Sequence, residues 1–316
     1  MKLKKQNIKR ILIFLLVIFI IVNIIAFAHA YKLTHFSTTQ TAKTQSPDKL
    51  SLLEKVKTIF TGVNNPRPIN TNVPTQLYET LYISGNKKLE CWLIKNDTAK
   101  GTVIVFHGYG GHKSSMLDKA DKFIQFGYSV LLVDFMGSGG SEGNQTTIGF
   151  KEAEQVNAVY QYLLAKGEKN IILFGTSMGA VAIMKATNDY NIKPQALILE
   201  CPFGSMYATV SARFNNMNLP SFPMANLLVF WGGVQNGFWG FSHNPEAYAT
   251  KITSPTLLLY GEKDKNVSRK EIDAIYKNIN AFKKLIIYPT SGHENYLLKY
   301  AKEWTNDVGS FLLSAK

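Results

Sequence analysis

A mostly parallel α/β sheet covered by helices is the fold class that this sequence predicts, and three observations predict it. From about residue 78 onward, short apolar runs alternate with longer stretches of helical periodicity. The short runs are almost continuously apolar, as strands buried on both faces are. Glycines and potential catalytic side chains stand directly after those runs, at the carboxyl ends of the strands where open α/β sheets bind their ligands. With 316 residues and 46% hydrophobic content, the chain is long enough to bury a substantial core. A charged fraction of 18% argues against a disordered polyelectrolyte or a coiled coil.

The chain opens with Lys2, Lys4, Lys5, Lys9 and Arg10, followed by 18 residues, 11–28, broken only by Asn23. An uncharged run of that length behind a basic start is a membrane signal, and the bases orient it with the N-terminus in the cytoplasm. Ala28-His29-Ala30 resembles a signal-peptidase site. The run is longer than a usual secretory core, so we expect residues 1–30 to stay as a single-pass anchor, with secretion after cleavage at Ala30 as the alternative. Residues 31–75 read as a flexible spacer carrying a short amphipathic helix. That helix is N-capped at Ser46-Pro47, with Leu50, Leu53, Val56, Ile59 and Phe60 at helical spacing, and we expect it to pack on the domain, with the lipid surface as the alternative.

The domain proper covers residues 76–316. Strands are predicted over 78–83, 89–94, 102–106, 129–134, 171–174, 196–199, 256–260 and 284–288. Helices are predicted over 115–125, 149–165, 178–188, 269–279 and 295–313. Residues 202–254 are too long for a simple connection and read as an insertion. The net charge of +13 owes much to the first ten residues, and no basic run exceeds a pair. That is a solvated basic surface and not a nucleic-acid footprint. Cys91 and Cys201 fit no metal spacing, and two cysteines do not make a disulfide framework, so both are expected as buried free thiols. No phosphate-loop pattern occurs, and neither cofactor nor metal is implied.

Gly-x-Ser-x-Gly occurs at 175–179 and again at 139–143. The chemistry of this motif requires a sharp strand-to-helix turn that lifts the serine clear of the sheet. Ser177 has an apolar strand before it and a helical pattern after it, whereas Ser141 lies in a polar, glycine-rich loop. Ser177 is therefore the predicted nucleophile. Among six histidines only His293 follows the last strand, where it can reach back to that turn and act as a base titrating near the ordinary range, roughly 6 to 7.5. Asp264, after the preceding strand, is the predicted orienting acid, with Glu262 as its rival. Asp134 is assigned to tying down its own glycine-rich loop. The Met178 amide at the helix start offers one oxyanion donor, and the His107-Gly-Tyr-Gly-Gly loop offers the other.

Together these motifs resemble the α/β-hydrolase superfamily, whose triad order is that of Ser177, Asp264 and His293. The likeness extends over residues 76–314. In Val105-Phe-His-Gly-Tyr, Val133-Asp-Phe-Met-Gly, Asn244-Pro-Glu-Ala-Tyr and Pro255-Thr-Leu-Leu-Leu-Tyr-Gly-Glu-Lys-Asp it is similar to the serine aminopeptidase-like and monoacylglycerol-lipase-like branch. The resemblance implies an eight-stranded α/β-hydrolase fold with residues 202–254 as a helical cap, and the Tyr109 amide as the second oxyanion donor. One departure is Asp134-Phe-Met-Gly, where that branch often carries Asp-x-Arg-Gly.

The function so read is that of a membrane-anchored serine hydrolase cleaving carboxylic esters through an acyl-enzyme, with a small-molecule or lipid ester as substrate. Residues 202–250 carry only Arg213 and Glu246 as charged groups but many aromatics. Phe230, Trp231, Phe238 and Trp239 are therefore candidates for an acyl-binding surface. The alternatives are an aminopeptidase, for which Glu200 and Glu246 are the available ammonium-binding acids, and an inactive interaction module on the same fold.

Overall fold

The computed structural model describes residues 2–39, 42–45 and 50–315. Its centre is an eight-stranded sheet made of β1 (Glu79–Ser84), β2 (Lys88–Ile94), β3 (Thr102–Phe106), β4 (Ser129–Val133), β5 (Ile171–Thr176), β6 (Ala196–Glu200), β7 (Thr256–Gly261) and β8 (Lys283–Tyr288). The strand order is β1-β2-β4-β3-β5-β6-β7-β8. β1 and β2 pair antiparallel with each other, and β2 pairs antiparallel with β4. All pairings from β4 through β8 are parallel. Strands β3 to β7 are buried along nearly their whole length because helices cover both faces, which is why they read as unbroken apolar runs.

Helices α3 (Leu117–Gln125), α4 (Glu152–Ala165), α5 (Met178–Tyr190), α9 (Arg269–Asn278), α10 (Tyr296–Lys299) and α11 (Ala301–Ser314) flank the sheet. They divide the core in two. Val156, Val159, Ile183 and Ile275 pack on one face with Ile104 and Leu131, and Phe123, Trp304, Val308 and Phe311 pack on the other with Val105 and Leu257. Residues 202–254 form a helical cap built on α6 (Met206–Asn216), α7 (Met224–Asn236) and the short α8 (Pro245–Tyr248).

The N-terminal helix α1 (Lys2–Thr34) is long and apolar enough to cross a membrane. It does not end at the hydrophobic run, and the expected spacer does not begin where the sequence suggests. Ala26 and Ala30 are buried against the cap, and beyond Thr34 the chain stays on the domain. The Phe36 amide donates to Asn144 O (2.6 Å), the Phe36 ring is buried, and His35 and Ser37 form single β-bridges with Gln145 and Pro66. These attachments run mainly through the backbone, which leaves no apolar period to read.

Ser46 and Pro47 lie outside the described residues. The described helix α2 (Leu52–Thr61) is instead capped by Ser51, whose hydroxyl accepts from the Glu54 amide while the Glu54 carboxylate accepts from the Ser51 amide. Packing is not what its apolar face does. Leu52 and Leu53 are 80% and 79% exposed, and the helix meets α1 at its far end, where Lys32 Nζ donates to Thr61 O.

Candidate active site

Ser177 stands between β5 and α5 with φ 51° and ψ −111°, a left-handed conformation that costs a non-glycine residue of the order of 1–3 kcal/mol. The strain is held in place by close packing. A Cβ on Gly175 would lie 2.6 Å from the Ala180 amide, and one on Gly179 would lie 2.6 Å from Phe106 O. Only glycine fits at either position, so the spacing of the motif follows from sterics. The Ser177 amide donates to Glu200 O (2.8 Å), locking the turn to the neighbouring strand.

His293 lies on the loop after β8, with Nε2 3.0 Å from Ser177 Oγ and Nδ1 2.7 Å from Asp264 Oδ2. Asp264 is buried, and its other oxygen accepts from the Asn266 and Val267 amides at 2.7 and 3.0 Å. The carboxylate is thereby aimed at the imidazole. Glu262 is instead half-exposed and pairs with Arg269 at 3.5 Å. Burial works against the charged form of His293, but the neighbouring Cys201 thiol and the Asp264 carboxylate outweigh it and raise the His293 pKa well above 6.5.

Cys201 is the neighbour that sequence reasoning missed. It directly follows β6, is buried with φ 40°, and its sulfur lies within 4.8 Å of the ligand-type atoms of both Asp264 and His293. Its place at a strand end was the available signal. A thiol, a carboxylate and an imidazole so close together are also a metal-ligand type, but here both imidazole nitrogens are engaged within hydrogen-bond distance by Asp264 and Ser177. Both cysteines are free and buried.

On the other side of Ser177 is the loop after β3. A Cβ on Gly108 would lie 3.6 Å from Ser177 Cβ, so the loop backbone runs alongside the serine. His107 is fully buried, with Nδ1 2.8 Å from Gly108 O and Nε2 accepting from the Phe135 amide. Burial lowers its pKa, and the ring acts as a neutral brace for the loop. The Tyr109 hydroxyl donates to Leu33 O (2.7 Å) and accepts from Asn65 Nδ2 (2.7 Å), tying this loop to the end of α1.

Ser141 is buried and committed to structure. Its hydroxyl donates to Asp134 O and accepts from the Glu90 amide. The Asp134 carboxylate accepts from the Gly140 amide, Asn70 and the fully buried Lys113, so it does tie down the loop. A guanidinium reaches that loop from elsewhere in the chain, for Arg67 donates to the carbonyls of Gly139, Ser141 and Gly143.

A cavity of about 190 Å³ lies beside His293, lined by Gly108, Lys119, Thr176, Glu200, Cys201 and Asn295 among others. None of the four proposed cap aromatics lines it. Phe238 stacks on Phe150, Phe230 packs between Trp231 and Trp239, Trp231 meets Phe27 of α1, and Trp239 is 56% exposed. The cap uses these rings to hold itself together and to grip α1.

The family model for serine aminopeptidase, S33, matches residues 97–226. The chain is 26% identical over 215 residues to the uncharacterized protein YqkD of Bacillus subtilis, covering 67% of this chain and 70% of that one. It is 25% identical over 223 residues to an uncharacterized membrane protein of Saccharomyces cerevisiae, covering 70% and 74%. In structure it is similar to an esterase of Pyrococcus furiosus with a TM-score of 0.68 at 24% identity, over 79% of this chain and 97% of that one. Motif, sheet order and family model agree: the chain has the α/β-hydrolase fold, and over the matched residues it is similar to the serine aminopeptidase-like branch of that superfamily.

Proposed function

We propose that this protein is a serine hydrolase that cleaves carboxylic esters of lipophilic acyl groups, working at the membrane to which α1 anchors it. One observation carries the reading: the His293 imidazole bridges the strained Ser177 hydroxyl and the buried Asp264 carboxylate at 3.0 and 2.7 Å. In the proposed reaction Ser177 Oγ attacks the acyl carbon while its proton passes to His293 Nε2. The tetrahedral oxyanion accepts hydrogen bonds from the amides of Met178 and Tyr109. His293 then protonates the departing alcohol, and water repeats the sequence to release the acid and restore the serine.

The structural likeness to an esterase supports this reading, as does the commitment of Glu200, one of the two acids that an aminopeptidase would use. Glu200 is fully buried and accepts from Thr176 Oγ1 and Trp304 Nε1 at 3.0 and 2.7 Å. Glu200 is therefore not free to hold a substrate ammonium. Partial burial, and after it the neighbouring Glu271 carboxylate, raise the Glu246 pKa. The basic N-terminus supports an orientation with the catalytic domain on the extracytoplasmic side.

A p-nitrophenyl ester series from acetate to decanoate, kept below micelle formation, tests the reading. The expected kcat/KM climbs roughly fourfold per methylene until the acyl site is full. A maximum at acetate would remove the lipophilic assignment. Turnover of aminoacyl amides in preference to every ester would replace the ester assignment with the peptidase one.

A further inference from the structure

We propose that the cap helix α7 is itself embedded in the membrane, alongside α1, in the leaflet nearest the catalytic domain. The partner is the acyl-chain region of the bilayer. The proposal rests on α1 remaining as a membrane span, and it is independent of the catalytic reading.

The argument begins with Asn23, which interrupts the apolar run 11–28. That run is about 27 Å long as a helix, close to the thickness of a bilayer core, and Asn23 lies five residues, or about 8 Å, inside its far end. A side-chain amide at that depth is costly unless its hydrogen bonds are made within the protein. Both of its ends are paired. Asn23 Nδ2 donates to Phe19 O (2.9 Å), and Asn23 Oδ1 accepts from the indole Nε1 of Trp231 on α7 (3.1 Å).

One turn further along both helices, Gln235 Nε2 donates to Phe27 O (2.8 Å). The Phe27 ring meets Trp231 edge-on at 5.3 Å, and Ala26 and Ala30 are buried in the seam. The pairs Asn23–Trp231 and Phe27–Gln235 advance together, so here α7 runs in the same direction as α1. Its N-terminal half therefore lies deeper than Trp231. If the run 11–28 occupies the membrane, α7 occupies it too.

The composition of α7 suits that position. Neither α7 nor the 217–223 loop leading into it carries a charge. Leu227, Phe230 and Val234 form a stripe at helical spacing, Val234 is 49% exposed, and Phe222 just before the helix is 74% exposed. Leu227 and Phe230 are half-buried, so in water this would be a partly uncovered apolar face at the side of a folded domain. In the register that α1 sets, it faces acyl chains, with Trp231 and Trp239 towards the interfacial end where tryptophan concentrates.

The test uses the full chain in phosphatidylcholine–phosphatidylglycerol vesicles, with an environment-sensitive fluorophore on single introduced cysteines and the parent chain as blank. Nitroxides at a shallow or a deep acyl carbon serve as quenchers. Val234→Cys is expected to be quenched several-fold more than Lys169→Cys, which precedes β5 at the amino end of the strands, the end opposite the cap. Leu227→Cys is expected to sit about 10 Å deeper than Val234→Cys, from the seven-residue rise, and so to respond more strongly to the deep nitroxide. Ile24→Cys, 63% exposed on α1, reports the span itself.

Quenching at Ile24 with none above the Lys169 level at Val234 would overturn the proposal while leaving the anchor intact. Extraction of the chain by alkaline carbonate, with no quenching at Ile24, would remove the span and the proposal with it. None of these readouts depends on activity, so failure of the esterase reading would be seen separately.

Discussion

At the scale of single residues, the account depends on which groups are free to react and which are already committed. Ser177→Ala is expected to lower kcat on an accepted ester by about 10⁴-fold or more, because the three residues act as a unit. Ser141, buried and bonded on both sides, is expected to tolerate Ala in catalysis. Loss of turnover in Ser141→Ala with retention in Ser177→Ala would reverse the assignment. The base must be neutral to accept a proton, and Cys201 and Asp264 raise the His293 pKa. The rising limb of kcat/KM should therefore lie well above pH 6.5. A limb centred at or below 6.5 would contradict this electrostatic picture. Lys113 has no exposure and pairs with Asp134 and with Glu90 at 2.7 Å, so Asp134→Asn leaves much of its charge uncompensated. A destabilisation of about 3–5 kcal/mol, read as a shift in the denaturation midpoint, is expected.

At the scale of elements, His243 joins the cap to the loop before α4, since its Nε2 donates to Ile148 O (3.0 Å) and its Nδ1 lies 3.2 Å from the Tyr248 hydroxyl. Burial pushes its pKa down to about 4. The native ring stays neutral below pH 6.5 while the unfolded one takes up a proton. Stability is thus full above the unfolded value and falls as pH drops from 6.5 towards 4, by about 3 kcal/mol in all. Thermal melts of wild type and His243→Gln across that range should converge as pH falls; parallel curves would sink the assignment. All eight strands were legible in the sequence because both faces of the central ones are covered, leaving apolar runs of the right length between turn residues. The Gly-x-Ser-x-Gly turn was legible because Gly175 and Gly179 each face backbone too close for any Cβ. Three things were not. Helix α1 runs on to Thr34 and grips α7 through Asn23 and a carbonyl, His35 and Ser37 attach through backbone bridges, and Arg67 reaches a loop more than seventy residues away. None of these leaves a local pattern. The cap aromatics are a related case: Trp231 meets Phe27 of α1, Phe238 stacks on Phe150, and Trp239 stays 56% exposed.

At the scale of the whole molecule, α1 and the α/β domain form one structure, because the end of α1 lines the seam with the cap and Leu33 O holds the Tyr109 hydroxyl of the loop after β3. Removing residues 1–30 should therefore do more than release the protein. It takes away Ala26 and Ala30 and leaves the apolar face of α7 bare, so the truncated chain is expected to aggregate or to melt well below the full chain in matched detergent. A truncated chain that is soluble and equally stable would show α1 to be a mere tether. The central claim remains chemical: that Ser177, activated by His293, is a nucleophile. Its most direct test is a fluorophosphonate probe applied to membranes bearing the full-length protein, with the modified peptide identified by mass spectrometry. The account predicts one adduct on Ser177, lost in Ser177→Ala, strongly slowed in His293→Ala and unchanged in Ser141→Ala. No adduct on the folded wild-type chain, or an adduct on Ser141, would contradict it.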